Sequence, residues 1–225
     1  MIDSTHRTED EHFMTLLAPE EKQFLYNRKT SLTVARGENI IKQNTFASNI
    51  VFVQKGILSL ILEGERCRNI CIHIAGDGDI IGISDLFSKS VHSYTVFSLK
   101  PSSIIIFQAS DFLSVINNNA YLRDKILEQY SGYIRHLHTK LMVIGTKQLH
   151  GRLADTILYL DKLRNKIPDI FNHIARKDMA LLTGTSVENV VRLLKEFHQE
   201  GIIKIAGKEV TINNMELLEK LQKIG

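Results

Sequence analysis

The sequence has few cysteines, and their number limits the metal and redox chemistry that one chain can support. The two cysteines, Cys67 and Cys71, are too few for a zinc or iron–sulfur site made by four thiolates of one chain. They stand four residues apart in one strand-like run, so they point to the same side of a strand and are too far apart for a comfortable disulfide. We therefore expect reduced, packed thiols, and a redox response of this pair stays an open alternative.

Long apolar runs and a strong excess of one charge are also absent. No apolar run is long enough to span a bilayer, and the polar N-terminus MIDSTHRTEDEH lacks the apolar core of a signal peptide. We therefore expect a cytoplasmic protein with no membrane partner. The formal net charge of +3 is too small for a polybasic chain, so a nucleic-acid site must be a local patch. The 225 residues suffice for one large or two modest globular domains.

The stretch from Arg176 to Phe197 gives the most specific signal in the chain. It is typical of helix, tight turn and helix, because Gly184 accepts the positive φ that a sharp turn requires. The apolar residues after the turn recur at helical spacing and predict one buried face: Val190, Leu193, Leu194 and Phe197. The polar residues at steps of three or four predict the opposite, solvated face: Glu188, Arg192, Lys195 and Gln199. This is the geometry of a DNA-reading helix-turn-helix, and an ordinary helical hairpin is the alternative.

Further elements around this stretch complete a compact C-terminal domain. Two β-branched runs between Gly201 and Ile212 predict a hairpin, or wing. An apolar stripe before the helix-turn-helix predicts one more helix, which ends near Pro168: Leu149, Leu153, Ile157, Leu160 and Leu163. A last helix is expected over 214–223.

The N-terminal half consists of short β-branched runs separated by glycine or polar breaks. After a short helix over Pro19–Leu25, the predicted strands are Leu32–Val34, Ile40–Ile41, Ile50–Val53, Leu58–Leu62, Ile70–Ile74, Ile80–Ile81, Tyr94–Leu99 and Ile104–Phe107. Many short strands at close spacing with glycine turns indicate an antiparallel sandwich or barrel. No helix-period segment interrupts them, so a parallel βαβ sheet is not favoured.

A unit from Asp111 to about Gly145 joins the two halves and carries a heptad pattern. One apolar set repeats every seven residues and a second follows at an offset of three: Leu127, Ile134 and Leu141, with Tyr130, Leu137 and Ile144. The pattern fits a dimer seam or a helix that lies on the sheet of its own domain. One helix-turn-helix reads one half-site, which favours a seam between two copies. The expected domains are 1–110, 111–145 and 146–225: a β-rich sensor, a dimerisation helix and a DNA-binding domain.

This order of parts, from about Leu32 to Ile212, resembles the CRP/FNR family of bacterial transcription regulators. The C-terminal resemblance rests on small, turn and core positions followed by the wing: Ala180, Gly184 and Val190. The N-terminal resemblance to a cyclic-nucleotide-binding β-roll rests on ordered marker residues: Gly37-Glu38, Ile40, Gln43, Gly56 and the run from Gly76 to Gly82. The implied fold class is α+β, with an N-terminal antiparallel β-roll or barrel of the cupin-like jelly-roll type, a long dimerisation helix and a C-terminal winged helix-turn-helix.

The resemblance implies that the second helix of the helix-turn-helix reads bases. The family's glutamate and arginine fall on Glu188 and Arg192, and Asn189 and Ser186 are further candidates. The planar fork of Arg192 matches guanine O6 and N7, whereas Glu188 is an acceptor suited to cytosine N4. Phosphate contacts are expected from the cations around this helix: Arg176, Lys177, Lys195, Lys204 and Lys208.

Local geometry leaves alternatives for these side chains. The run Thr185-Ser186-Val187-Glu188 also fits a capping box, and Glu188 could instead pair with Arg192 at i, i+4. The chain also departs from the family, since Val187 replaces an arginine of CRP-like members and Val191 a serine of FNR-like members. A valine can touch a thymine methyl but cannot hydrogen-bond. We therefore predict a palindrome that keeps a G·C pair in each half-site and differs in its flanks.

The resemblance places an effector pocket in the β-roll, although its usual phosphate ligands are missing. The corresponding residues are Gly82, Ile83, Ser84, His92 and Ser93. No glutamate follows the glycine, and His92-Ser93 lies near the position of the family's Arg-Ser pair. Without that arginine a phosphate loses its bidentate partner, so cyclic AMP binding of the usual kind is not expected. No cofactor is predicted, and an unknown small-molecule effector is an open alternative.

These features favour a homodimeric, sequence-specific, DNA-binding transcription regulator rather than an enzyme. The expected partners are double-stranded DNA and a second copy of the chain, with RNA polymerase as a further candidate. A metal-dependent cupin-like enzyme is one alternative, and a protein-interaction module without DNA binding is another. The histidines show no metal-ligand spacing: His136 and His138 do not share a helix face, and His73 lies among the strands near Cys67 and Cys71.

Overall fold

The N-terminal half folds into two antiparallel sheets, as the strand pattern predicts. The computed structural model describes residues 13–65, 68–87 and 91–224. A 3₁₀ turn (Phe13–Thr15) and helix α1 (Pro19–Tyr26) precede the strands, and Pro19 stands at the helix start. The strands are β1 (Thr30–Val34), β2 (Asn39–Ile41), β3 (Asn49–Lys55), β4 (Leu58–Leu62), β5 (Ile70–Ala75), β6 (Ile80–Ile81), β7 (Thr95–Ser98) and β8 (Ser102–Gln108). All the predicted strand runs are confirmed to within two residues at their ends.

The sheets pack face to face around the apolar residues of their inner faces. One sheet has the order β1-β8-β3-β6 and the other β2-β7-β4-β5. Their β-branched and leucine side chains form a shared core that includes Val51, Val53, Leu58, Leu60, Val96 and Ile104. Such residues favour strands because their side chains fill a pleated, half-buried surface. The expectation of a roll of antiparallel strands is therefore confirmed.

The helical unit predicted over 111–145 is two helices rather than one. After the short helix α2 (Ile83–Leu86), helix α3 (Ala109–Asn118) ends at Asn119, and helix α4 (Ala120–Thr146) begins immediately after it. Asn119 has an extended backbone, and its side chain accepts a hydrogen bond from Leu122 N–H at 2.9 Å. Asparagine is a strong N-cap, so this residue ends one helix and starts the next.

Helix α4 has one face packed on the N-terminal half of its own chain and another face open to solvent. Along one face, Leu122 and Ile126 are buried in an apolar cluster with residues of α1, β3, β8 and α3, and Tyr133 and Leu137 pack on the sheets. Leu137, a predicted seam residue, thus packs on the sheets of its own chain. Along the other face Leu127 and Leu141 are 52% and 72% exposed. The remaining seam residues are partly buried: Tyr130, Ile134 and Ile144.

The C-terminal domain has the predicted elements in the predicted order. They are α5 (Leu149–Leu163), α6 (Ile170–His173), α7 (Arg176–Thr183), α8 (Val187–Gln199), β9 (Ile203–Ala206), β10 (Glu209–Ile212) and α9 (Met215–Ile224). The β9–β10 pair is the predicted wing, and α7 with α8 forms the predicted helix-turn-helix. Their core contains the residues of the predicted stripes, among them Leu153, Ile157, Leu160, Val190, Leu193 and Phe197.

The C-terminal domain packs against β5, the edge strand of the second sheet. The backbone N–H of Ile74 donates to Tyr159 Oη at 3.1 Å, and His136 Nε2 donates to the Ile72 carbonyl at 3.0 Å. Cys71 and Ile74 of β5 belong to the same apolar cluster as the C-terminal core. An open sheet edge needs such partners for its backbone groups, and here α4 and α5 supply them. Among the helices of the described ranges, none has the length and apolarity required to cross a membrane.

Candidate nucleic-acid interface

A single glycine sets the angle between α7 and α8. Gly184 has φ +69° and ψ +43°, the left-handed conformation that residues with a Cβ avoid. The N–H groups of Gly184 and of Thr185 both bond to the Ala180 carbonyl, which closes the end of α7. The chain then turns directly into α8, whose buried face consists of the predicted apolar residues.

The outer face of α8 is open to solvent and carries the predicted base-reading side chains. Its exposed residues include Val187, Glu188, Val191, Arg192, Lys195 and Gln199. Val187 and Val191 are 38% and 49% exposed, so apolar atoms lie beside charged groups on this face. The second helix thus presents hydrogen-bond donors, an acceptor and methyl groups together. These groups can distinguish the acceptors, donors and thymine methyl groups that base pairs present in the major groove.

The start of α8 is fixed by two of the predicted base readers. Ser186 is the N-cap, and its Oγ accepts from Asn189 N–H at 3.3 Å. Asn189 Nδ2 donates back to Thr185 Oγ1 at 3.0 Å. The pKa of Glu188 is lowered because its carboxylate accepts from its own backbone N–H and from the Ser186 hydroxyl. Ser186 and Asn189 are therefore engaged within the protein, whereas Glu188 both supports the helix start and remains exposed.

Arg192 is paired, but not with the partner that the sequence suggested. The alternative of a Glu188–Arg192 pair is wrong, because Arg192 Nη1 lies 3.4 Å from Glu196 Oε2, one turn further along α8. Glu196 Oε1 in turn lies 3.0 Å from His150 Nε2 on α5. The sequence reasoning did not identify Glu196, although its i, i+4 spacing from Arg192 was the available signal.

The cations predicted to contact phosphates surround α8 on three elements. Lys177, Lys195, Lys204 and Lys208 are exposed on α7, α8 and the wing. Arg176 is different, since it donates to the Gly207 carbonyl at 3.1 Å and its burial lowers the pKa of the guanidinium. Arg176 therefore ties the wing to α7 and presents less of its charge to a ligand than the lysines do.

The predicted effector residues lie together at the end of β6, around a carboxylate that the sequence reasoning missed. Asp85 is 4% exposed and faces His92 and Ser93. Its Oδ2 lies 3.0 Å from His92 Nδ1, and its Oδ1 accepts from Ser93 Oγ at 3.0 Å and from Ser84 Oγ at 3.3 Å. The side chains of His92, Ser93 and Ser84 thus already have a hydrogen-bond partner within the chain.

Gly82, the first of the predicted effector residues, is fixed by its surroundings. Gly82 has φ +101°, and an added Cβ would lie 3.1 Å from the Asn49 carbonyl oxygen. Its N–H donates to Tyr94 Oη at 3.1 Å. Tyr94 is buried, and this raises its pKa to about 12. The phenol is therefore neutral at physiological pH and acts here as a fixed hydrogen-bond partner.

The predictions about thiols and histidines concern residues near the interface between the domains. Cys67 lies outside the described residues. Cys71 is 1% exposed, lies 3.2 Å from Ser59 Oγ, and has a pKa raised by burial. His73 lies with its ring centroid 5.5 Å from that of His136, while His138 is exposed. No group of three or more metal-binding side chains occurs in the part of the chain that the structure describes.

Comparisons with known proteins match both halves of the chain. Residues 31–119 match the family model of the cyclic nucleotide-binding domain, and residues 151–221 match that of the Crp-like helix-turn-helix domain. Over 205 residues the chain is 22% identical to the cyclic AMP receptor protein of Thermus thermophilus, which covers 91% of this chain and 94% of that protein. Over 196 residues it is 29% identical to the fumarate and nitrate reduction regulatory protein of Yersinia pestis, with coverage of 84% and 76%.

A solved structure has the same arrangement of domains. FixK2 from Bradyrhizobium japonicum superimposes with a TM-score of 0.74 at 19% identity, covering 86% of this chain and 96% of that one. At such low identity the likeness concerns the fold, so the roles of individual side chains depend on the contacts described above.

Proposed function

We propose that this chain, which belongs to the CRP/FNR family of DNA-binding transcription regulators, binds an inverted-repeat DNA site as a homodimer and reads it with the outer face of α8. The observation that carries the proposal is this face itself, where Glu188 and Arg192 are exposed beside the flanking lysines. Family members are transcription regulators rather than enzymes. The alternatives of a cupin-like enzyme and of a protein-interaction module have no observation in their favour.

Base reading is assigned to the groups of α8 that remain free to contact a groove. Arg192 pairs with Glu196 through Nη1 only, so its other N–H groups are available for guanine O6 and N7. Glu188 is exposed and can accept from cytosine N4. Val187 and Val191 offer methyl groups to thymine. Ser186 and Asn189 have a smaller share, because their side chains already cap α8.

Dimerisation is assigned to the exposed face of α4. Leu127 and Leu141 stand fourteen residues apart, two heptads along one face, and both are more than half exposed in the protomer. A second copy related by a two-fold axis would bury them and place two α8 helices on successive turns of one DNA face. The phosphate contacts then come twice from the same set: Lys177, Lys195, Lys204 and Lys208, with Arg176 as a lesser member.

The experiment that tests this function is selection of bound duplexes from a random library with the purified full-length chain. An inverted repeat with a G·C pair in each half-site is the expected result. A single, unrepeated site would contradict the homodimer. Recovery of no preferred sequence, with binding that depends only on salt, would contradict base reading.

The N-terminal domain is proposed to respond to a small-molecule effector, and it is proposed not to bind cyclic AMP in the way that is usual for the family. The side chains at the phosphate-binding positions, His92 and Ser93, are bonded to the internal carboxylate of Asp85. A phosphate would have to displace a buried carboxylate and would then lie beside it, which like charge disfavours. Calorimetric titration with cyclic AMP should therefore give no saturable heat. Tight binding that depends on His92 and Ser93 would contradict the proposal.

A further inference from the structure

The base-reading arginine is linked to a helix outside the helix-turn-helix through a carboxylate. Glu196 Oε2 holds Arg192 Nη1 at 3.4 Å, and Glu196 Oε1 holds His150 Nε2 at 3.0 Å. Because a carboxylate only accepts, His150 Nε2 carries a proton and donates it. His150 stands in the first turn of α5, with its ring centroid 6.1 Å from that of Phe197. Each oxygen of Glu196 thus has its own partner, and the two contacts do not compete.

We propose that Glu196 is a positioning residue that sets the specificity of Arg192 and that His150 holds Glu196 in place. This inference rests on the proposed function, in which Arg192 reads a guanine. A free arginine side chain has many rotamers and loses this freedom when it docks on one base edge. Glu196 fixes one nitrogen of the fork before DNA arrives, so less freedom is lost and the remaining N–H groups point in a defined direction.

Glu196 also weakens the contacts that Arg192 could make with DNA phosphates instead of a base. Its negative charge lies on the DNA-facing helix, close to the guanidinium, and neutralises part of the attraction between Arg192 and phosphates. A guanine edge presents directed acceptors that the fixed fork can still satisfy, whereas a phosphate offers mainly charge. Glu196 therefore lowers the affinity for non-specific DNA more than the affinity for the specific site.

A purely structural role for this pair does not fit its surroundings. The side chains of His150 and Glu196 are 40% and 38% exposed, and exposed ion pairs contribute little to stability. The packing of α8 on the domain depends instead on Leu193, Leu194 and Phe197, which are buried. Removal of the Glu196 charge should therefore leave the chain folded.

The test compares Glu196→Gln with the wild-type full-length chain on two duplexes. The first duplex carries the selected inverted repeat. The second duplex has A·T in place of the G·C pairs that Arg192 reads, which are the pairs for which Arg192→Ala loses its preference. Glu196→Gln should lower the ratio of the two affinities about two- to fivefold, the range for an exposed ion pair, while affinity for unrelated duplex stays equal or rises. Glu200→Gln is the matched control, since Glu200 is exposed at the end of the same helix and should leave the ratio unchanged.

Two further variants separate positioning from general damage. His150→Phe keeps an aromatic ring beside Phe197 but removes the donor, and it should shift the ratio in the same direction as Glu196→Gln. In an Arg192→Ala background, Glu196→Gln should have no effect on the ratio. An unchanged ratio for Glu196→Gln, or an effect that persists without Arg192, would overturn the inference. A failure of Arg192→Ala itself to alter base preference would instead overturn the proposed base reading.

Discussion

Arg192 and Lys195 lie on the same exposed face of α8, yet their side chains are suited to different tasks. Arg192 has a planar fork fixed at one end by Glu196, whereas Lys195 is an exposed point charge. A fork can satisfy two acceptors of one base edge, and a point charge is suited to the phosphate backbone. The two residues should therefore differ in how their removal affects sequence dependence.

Arg192→Ala should reduce discrimination between the G·C and A·T versions of the half-site by about 1–3 kcal/mol. Lys195→Ala should instead weaken binding to all duplexes alike and reduce the slope of log affinity against log salt by about 1. Fluorescence titrations at several salt concentrations measure both quantities. Equal loss on every sequence for Arg192→Ala would assign this residue to the backbone rather than to a base.

At the scale of elements, the turn between α7 and α8 depends on the backbone of Gly184. Its left-handed conformation is strained for alanine, although an added Cβ would lie 3.8 Å from Ile144, an ordinary contact. Gly184→Ala should therefore lower the free energy of unfolding by about 1–2 kcal/mol through backbone strain alone. Urea titration at fixed protein concentration measures this change.

A second glycine provides a control of opposite sign for this prediction. Gly145 lies within the last turn of α4, has no positive φ, and has no atom within 4 Å of an added Cβ. Gly145→Ala should raise the free energy of unfolding by about 0.5–1 kcal/mol, because alanine favours helix. Equal effects of the two substitutions would contradict the conformational argument.

The exposed face of α4 predicts a separate result for assembly. Leu127→Glu with Leu141→Glu should give a folded monomer, because both side chains are largely exposed in the protomer. Because a monomer brings only one α8 helix to the DNA, its affinity for the inverted repeat should fall by about 10²-fold or more. Sedimentation and DNA titration measure the two effects. Arg135→Gln, an exposed change on the same helix but outside the seam, should alter neither, and a double variant that stays dimeric would exclude this face as the seam.

The strands, the helix-turn-helix and the wing could be predicted because each depends on a local pattern. Gly184 marks its turn, and Val190 to Phe197 repeat at helical spacing within one segment. The break of the long helix at Asn119 cannot be predicted from the pattern, because only one polar residue interrupts a continuous helical repeat. The pair of His150 and Glu196 could not be predicted, since its members are 46 residues apart and meet only in the folded domain.

Asp85 shows the same limit among the predicted effector residues. Its neighbours Ile83 and Ser84 depart from the family pattern in a way that the sequence shows, but the sequence does not show that a carboxylate in a short helix is buried. His92 and Ser93 lie on the segment before β7. Only the fold brings His92 Nδ1 and Ser93 Oγ to 3.0 Å from the carboxylate oxygens of Asp85. Departures from a family pattern can thus be identified from sequence, whereas the group that compensates for them requires the structure.

At the scale of the whole molecule, the docking of the C-terminal domain on β5 places titratable groups in a buried joint. His136 bonds to the Ile72 carbonyl and stacks on Tyr159, with ring centroids 5.2 Å apart. His73 faces it from β5, and Lys140 faces it from the next turn of α4. Burial lowers the pKa of His136 below its ordinary value of 6.5, and the positive charge of Lys140 adds to this, while the bond to Ile72 opposes it.

This lowered pKa predicts that the joint weakens on acidification. Between the ordinary pKa of 6.5 and the lower folded value, the unfolded chain binds more protons than the folded chain. The contribution of neutral His136 is therefore fully present above pH 6.5 and is lost as pH falls through the folded value. Differential scanning calorimetry should show a melting temperature that decreases over this window in wild type and decreases less in His136→Gln, which retains a donor for the Ile72 carbonyl.

The comparison of these two chains isolates His136 from the other groups that titrate nearby. Burial raises the pKa of Asp178, so this carboxyl acts with the opposite sign at lower pH, and it is present in both chains. Burial also raises the pKa of Tyr159, which therefore stays neutral throughout the window. A local readout is the hydrogen-exchange protection of the Ile74 amide, which Tyr159 Oη holds at the joint. Its protection, corrected for intrinsic exchange, should fall with the melting temperature, and parallel profiles for wild type and His136→Gln would exclude His136 as the group responsible.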